Sequence, residues 1–198
     1  MTADPVYILI RTSSRPIFFA RCMASVKAQT YPNIVTIVHT DDHNDEYVEG
    51  DIIIRSKRDP SPGRGHFNLY CNKLLDTIPA DAPGWYHFLD DDDMYASNDA
   101  IERLVKKSKR DHVNVARVDR GSGFVWPKYW KEQTTFSGEC IFLHTDHRLK
   151  ARWGFKKKGD HNYSRQLTNI LPINWIENLV ITRAQKGSGR GKRLDREA

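Results

Sequence analysis

Four consecutive aspartates, Asp90–Asp93, stand directly after a strongly apolar run, WYHFL at 85–89. Adjacent carboxylates repel one another, so such a run needs cations to offset it. On an extended chain alternate residues face the same way, which pairs Asp90 with Asp92 and Asp91 with Asp93. One such pair holds a divalent cation through oxygen ligands. Mg²⁺ or Mn²⁺ suits a site that water and a substrate phosphate complete. Two more acids, Asp41 and Asp42, follow a β-branched run, and Asp160 stands in GDHNY. The bland alternatives are an exposed acidic turn for 90–93 and a helix cap for Asp160; the former leaves the preceding apolar run unexplained. His144-x-x-His147 has metal-ligand spacing but no third ligand in register, so it reads as surface histidine.

These residues need elements to position them. Val6–Arg11 (VYILIR) reads as a strand buried on both faces. The turn 12–16 offers Ser13 or Ser14 as a helix cap, with Pro16 at an early helical position. Phe18, Phe19, Cys22, Met23 and Val26 then recur at helical spacing up to Ala28. Ile34–His39 completes a βαβ unit, whose strands should be parallel. Further strands are expected at 51–55, 85–89, 113–118, 140–144 and 176–182. Helices are expected at 68–75, at 98–109 (capped by Ser97 or Asn98) and at 163–168. The alternation predicts an α/β sandwich with a mostly parallel sheet. Ligands then bind beyond the carboxyl ends of the strands, where both acidic groups fall.

The chain has 198 residues, the length of one domain, with 31 Lys+Arg against 25 Asp+Glu. The charge is segregated. Residues 41–51 carry six acids and no base, whereas 147–158 carry six bases and no acid. A transfer domain is expected over 1–182 and a basic, flexible tail over 183–198. Three cysteines without CxxC point to a reducing, cytoplasmic setting, and no apolar run is long enough for a leader or a spanning helix. The first βα turn lacks glycines and no GxxxxGK[ST] occurs, which disfavours a dehydrogenase and a P-loop NTPase. No GxSxG elbow exists, and Gly63-Arg64-Gly65-His66 reads as a flexible loop.

The stretch RTSSRPIFFARCMASVKAQTYPNIVTIVHTDD resembles the opening of family 2 glycosyltransferases, which have the GT-A fold. Ser25-Val26, Gln29-Thr30-Tyr31-Pro32-Asn33 and Asp41-Asp42 match in order and spacing. FLDDDDMY (88–95) resembles the family's DxD segment, and Gly159-Asp160-His161-Asn162-Tyr163 its later acidic motif. The resemblance implies a metal-dependent, inverting transfer of a hexose or pentose from a nucleotide-sugar, typically a UDP-sugar. It implies Thr12 and Arg15 near the nucleotide and Asp41 or Asp42 on the base. It implies Asp90 and Asp92 as the DxD, with Asp92 the direct metal ligand, Asp91 and Asp93 on the donor side, and Asp160 as catalytic base. Asn72 falls where the family has an asparagine-bearing helix near the donor. Arg183, Lys186 and Arg190 are candidate cations for the leaving diphosphate. The chain departs from the pattern at Gly159, where the family often has glutamate.

The aromatic and lysine residues of 124–131, with the basic segments, suit an acceptor that is a glycan or a hydroxylated base in DNA, the latter flipped from its stack. A basic surface could also rest against anionic lipid. Other classes remain open: a carbohydrate- or nucleic-acid-binding module, or a metal-dependent nuclease.

Overall fold

The computed structural model describes residues 3–58, 66–121, 125–127, 135–155 and 158–185. The first strand, β1 (Val6–Thr12), is buried from Val6 through Ile10, as a strand covered on both faces must be. Helix α1 (Pro16–Lys27) lays Phe18, Phe19, Cys22, Met23 and Val26 on the sheet. Full burial of such an apolar side chain contributes about 1.5–3 kcal/mol. Its N-cap is Arg15 and not a serine, and no side chain caps it. Ser14 sits in the left-handed region at φ 51°, and the Arg15 guanidinium turns to the aspartates instead.

β2 (Ile34–Thr40) and β3 (Ile52–Arg55) follow, then α2 (His66–Thr77) and β4 (Trp85–Asp90). β1 pairs in parallel with β2 and β4, and β2 with β3. The order β3-β2-β1-β4 means the sheet grows outward from β1 in both directions. Such a switch point opens a crevice at the carboxyl ends, between the loops after β1 and β4.

The rest of the chain comprises β5 (Asp93–Tyr95), α3 (Ala100–Lys107), β6 (Val113–Asp119), β7 (Val125–Trp126), β8 (Ile141–His144), α4 (Gly159–Thr168) and β9 (Ile173–Ala184). Here the expected parallel pairing gives way. β8 runs antiparallel to both β4 and β6, and β5 antiparallel to β9; only β6 and β9 are parallel. Antiparallel neighbours need no crossover helix, and none is described between β6 and β8. The sheet is therefore mixed. Strand β5, three residues that begin at the last acid of the run, has no periodicity that a sequence reading could catch.

Two further expectations are corrected. The N-cap of α3 is Asp99, and the Ile101 amide donates to Gln29 Oε1 rather than to a cap side chain. β9 extends through Ala184 and Gln185 is buried, so residues 183–185 belong to the sheet region rather than to a tail. No helix among the described residues is long and apolar enough to cross a membrane.

Candidate functional site

The aspartate run is built by a strand end and a turn. β4 carries Asp90 to its last position, and a turn at 91–92 reverses the chain before β5 begins at Asp93. The turn breaks the alternation that an extended chain would keep. Asp93 comes round to the side of Asp90, and single oxygens of Asp90, Asp92 and Asp93 lie within 4.8 Å of one another. Asp91 points the other way, accepting a 2.8 Å hydrogen bond from Thr12 Oγ1. The expected Asp91/Asp93 pair is thereby corrected.

Three arginines answer these acids. Arg11 Nη2 lies 3.2 Å from Asp90 Oδ1. Arg15 bridges Asp91 and Asp92, at 2.8 Å to Asp92 Oδ2. Arg120 pairs with buried Glu139, and both charges act on Asp93. Asp90–Asp93 and Glu139 are five carboxylates against three guanidinium groups, which leaves two negative charges when all are ionised. That excess is the charge of one divalent cation, and an all-oxygen donor set suits a hard one. Burial pushes Asp91 up to about 7 despite Arg15. Burial also pushes Glu139 up to about 7 despite Arg120, and burial together with Glu139 raises Asp93 well above the usual carboxylate range. The residues fit a bound dication.

On one side of this cluster lies a tightly bonded bank. Thr12 Oγ1, donating to Asp91, accepts from Tyr47 Oη at 3.1 Å. The Arg15 amide donates to the same Tyr47 oxygen at 3.0 Å. Buried Asp45 accepts from the Ser14 amide and, at 2.6 Å, from Thr40 Oγ1. Asp41 is gripped by Arg58 through Nε and Nη2, both at 3.1 Å. Burial alone would raise the Asp41 carboxyl; the Arg58 and Ser13 hydrogen bonds hold it below its ordinary value. Asp42 accepts from Ser14 Oγ and from the Asn44 amide, and is only half-buried.

On the other side is a cavity of about 250 Å³ lined by Arg11, Asp90, Glu139, Trp153, Lys158 and Asp160, among others. Trp153 and Phe88 line its apolar wall, Phe88 edge-on to Trp153 at 5.2 Å, and Trp153 stacks on buried Tyr163 with centroids 4.9 Å apart. Asp160 lies in the first turn of α4, where its charge faces the positive end of the helix dipole. It is not the cap; that position is Lys158, at φ 64°. The Asp160 carboxylate accepts from the His161 amide at 3.0 Å. A Cβ at Gly159 would meet Asn68 Nδ2 at 2.2 Å, which accounts for glycine where glutamate is common in the resembling family.

Of the expected site residues, Asp90 and Asp160 line the cavity, Thr12 and Arg15 bond to the Asp91–Asp92 turn, and Asp42 bonds Ser14 next to Arg15. Asn72 is engaged otherwise: its amide bonds both the N–H and the carbonyl of Trp153, at 2.9 Å each, and so holds the cavity wall. Arg183 is exposed on β9, opposite Met94 of β5. Lys186, Arg190, residues 63–65 and most of 124–131 lie outside the described residues. His144 and His147 are buried, not on the surface; His147 Nε2 donates to the Arg110 carbonyl, and among the described residues the pair joins no metal-binding group. Arg152, in the basic segment, grips Asp76 of α2 through both its terminal nitrogens.

Sequence reading missed Arg11, Asp45, Tyr47, Arg58, Arg120 and Glu139. Only Arg11 carried a signal, a charge ending an otherwise apolar strand at the level of the aspartates.

No protein-family model matches the chain, and no curated protein matches it. Solved structures do. Staphylococcus aureus TarS 1-349 in complex with UDP-GlcNAc gives a TM-score of 0.68 at 15% identity, over 93% of this chain and 59% of that one. TarS 1-349 in complex with UDP gives 0.68 at 14% identity, over 91% of this chain and 60% of that one. The mannosyltransferase PcManGT from Pyrobaculum calidifontis, in complex with GDP-Man and Mn²⁺, gives 0.67 at 12% identity, over 96% and 59%. The chain therefore spans less than two thirds of these proteins. The likeness is one of fold, a mixed sheet flanked by helices, as the GT-A resemblance implied.

Proposed function

We propose that the chain is a metal-dependent, inverting glycosyltransferase that moves a sugar from a nucleoside-diphosphate sugar to an acceptor hydroxyl. The observation that carries this reading is that Asp160 and Asp90 face one cavity beside the Asp90/Asp92/Asp93 cluster, on a fold shared with nucleotide-sugar enzymes. Asp41 or Asp42 would bond the base, uracil by preference, and Thr12 and Arg15 would border the nucleotide. Asp92, with Asp90, would hold Mn²⁺ or Mg²⁺. When bound, the cation would offset the charge gathering on the departing diphosphate.

Asp90, which lines the cavity, and Asp93 beside it would orient the donor sugar while Trp153 excludes water. Asp160 takes the proton of the acceptor hydroxyl as its oxygen bonds to the anomeric carbon. The bond from that carbon to phosphate oxygen breaks, and the nucleoside diphosphate leaves with the electron pair. A single displacement with one base inverts the anomeric centre. The acceptor is a glycan hydroxyl or a hydroxylated base in DNA, with Lys158 bringing positive charge to the cavity.

A thermal-shift screen of nucleotide-sugars with Mn²⁺ tests the reading. One nucleoside diphosphate should raise Tm in a metal-dependent way. Asp92→Asn should fold normally and lose Mn²⁺-dependent sugar transfer and donor hydrolysis; unchanged turnover refutes the metal role. Cleavage of DNA without any nucleotide-sugar would point to a nuclease instead. If DNA is the acceptor, its binding must weaken steeply as salt rises.

A further inference from the structure

Gln185 follows the last residue of β9, yet it is buried against the turn that presents the aspartates. Its backbone amide donates to the Asp92 carbonyl at 2.8 Å. Its side-chain Nε2 reaches the carbonyls of Asp91 at 3.2 Å and Asp93 at 3.4 Å. It also reaches the Phe18 carbonyl of α1 at 3.0 Å. One residue thus holds the three successive carbonyls at 91–93, and ties them to the helix turn that begins beside Arg15. The Phe18 ring lies under the Arg15 guanidinium at 5.4 Å.

That turn has work to do against electrostatics. It keeps the oxygens of Asp90, Asp92 and Asp93 within 4.8 Å, a spacing at which like charges drive one another apart. The arginines that bond the Asp90 and Asp92 side chains do not set the path of the chain between them. That backbone must be fixed, and fixed in a reversal that neither β4 nor β5 supplies alone. A primary amide suits the position. It offers two hydrogens to the converging carbonyls without burying a charge, and it is one methylene longer than asparagine. Among the described residues its Oε1 meets no donor, so its contacts to the turn are all made by donation.

We infer that Gln185 is a positioning residue for the divalent-cation site, holding the 91–93 turn so that Asp90, Asp92 and Asp93 converge before any cation arrives. It touches no substrate; it acts through the backbone of the ligands. The inference rests on the metal-dependent reading above, and it goes beyond that reading in giving the end of β9 a part in the site. Groups behind metal ligands typically change metal affinity or activity by about 10–100-fold when removed.

The test is Mn²⁺ binding without donor, followed by the electron paramagnetic resonance signal of free Mn²⁺. Gln185→Met keeps the length and the backbone bond but removes Nε2. With its circular dichroism unchanged, it should need roughly 10–100-fold more Mn²⁺ for half-saturation, while metal-free nucleoside diphosphate binds as before. A folded variant with wild-type Mn²⁺ affinity overturns the inference alone. A wild-type chain that binds no Mn²⁺ overturns the metal reading and this inference together. Should Gln185→Met fail to fold, hydrogen exchange on the wild-type protein decides. The Gln185 amide must exchange more slowly once Mn²⁺ is added, and an unaltered rate refutes the proposal.

Discussion

On the Arg15 side of the crevice, Asp41, Asp45 and Asp91 are each buried and each held by two or more donors from other elements. On the Asp160 side, Asp160 bonds one neighbouring amide and Asp90 meets one arginine; both are only half-buried and both face open cavity. The first bank is a densely bonded network, in which the buried Arg15 Nε alone among these groups meets no partner among the described residues. The second keeps carboxylate oxygens free for chemistry. Changes in the first should therefore unsettle the fold together with binding, whereas changes in the second should strike turnover and leave the fold alone.

The largest effect expected is on the open side. Asp160→Asn should lower kcat by about 10²–10⁴-fold, the usual worth of a general base. Tm and donor KM should stay near wild type. A steady-state assay of nucleoside diphosphate release, run beside a melting curve, checks this. If Tm falls as far as the rate does, the contrast between the banks is broken.

On the closed side, Arg15→Met removes the partner of buried Asp91. Stranding one member of a buried ion pair costs roughly 3–5 kcal/mol. Arg15 keeps some exposure, so the lower end of that range is expected. Urea denaturation should show the loss in the absence of any donor. A variant as stable as wild type would mean that the network on that side is not what holds the aspartate turn.

A pH titration sharpens the comparison, because each bank rests on a buried neutral histidine. His39 stacks on Tyr70 behind Asp41 and bonds Ser56; burial and the charge of Lys73 push it down to about 4. His87 lies under the cavity, and burial pushes it down to about 4. Its Nε2–H donates to the Glu139 carbonyl, so Nδ1 must accept from Tyr95 Oη. Protonation would cost that acceptor. In both cases the unfolded chain takes up its proton first. The histidine contribution is thus complete above about pH 6.5 and is lost as pH drops toward 4, up to about 3 kcal/mol for His87, while Asp91 and Glu139, pushed up to about 7, act in the opposite sense over the same range. Urea midpoints between pH 7 and 4, with His87→Gln for comparison, read the loss. The same pH dependence in wild type and His87→Gln would show that His87 is not buried neutral.

Much of the architecture was legible because it is written in short-range pattern. Val6–Arg11 and Trp85–Leu89 are too apolar to be anything but covered strands, and the Phe18–Val26 spacing admits one helical face. The acids had to lie at strand ends, since Asp41 and Asp90 follow such runs directly. The resemblance then brought Asp160 to them across 67 residues of sequence. Other features had no local trace. An arginine after a strand looks like any exposed arginine until Asp41 is found opposite Arg58. The turn at 91–92 looks like continued strand, which is why Asp91 and Asp93 were paired wrongly. The direction of β8 cannot be read from its four residues.

By itself, then, the sequence determined which segments must be buried and where the carboxylates leave the sheet, because burial and period depend on neighbours a few residues apart. Only the tertiary structure decided which cation meets which acid, which way the sheet runs past β4, and that Gln185 closes on a turn more than ninety residues before it. Those choices are made by contacts between distant segments, whose energies depend on distance and direction in space and leave no mark on the order of residues along the chain.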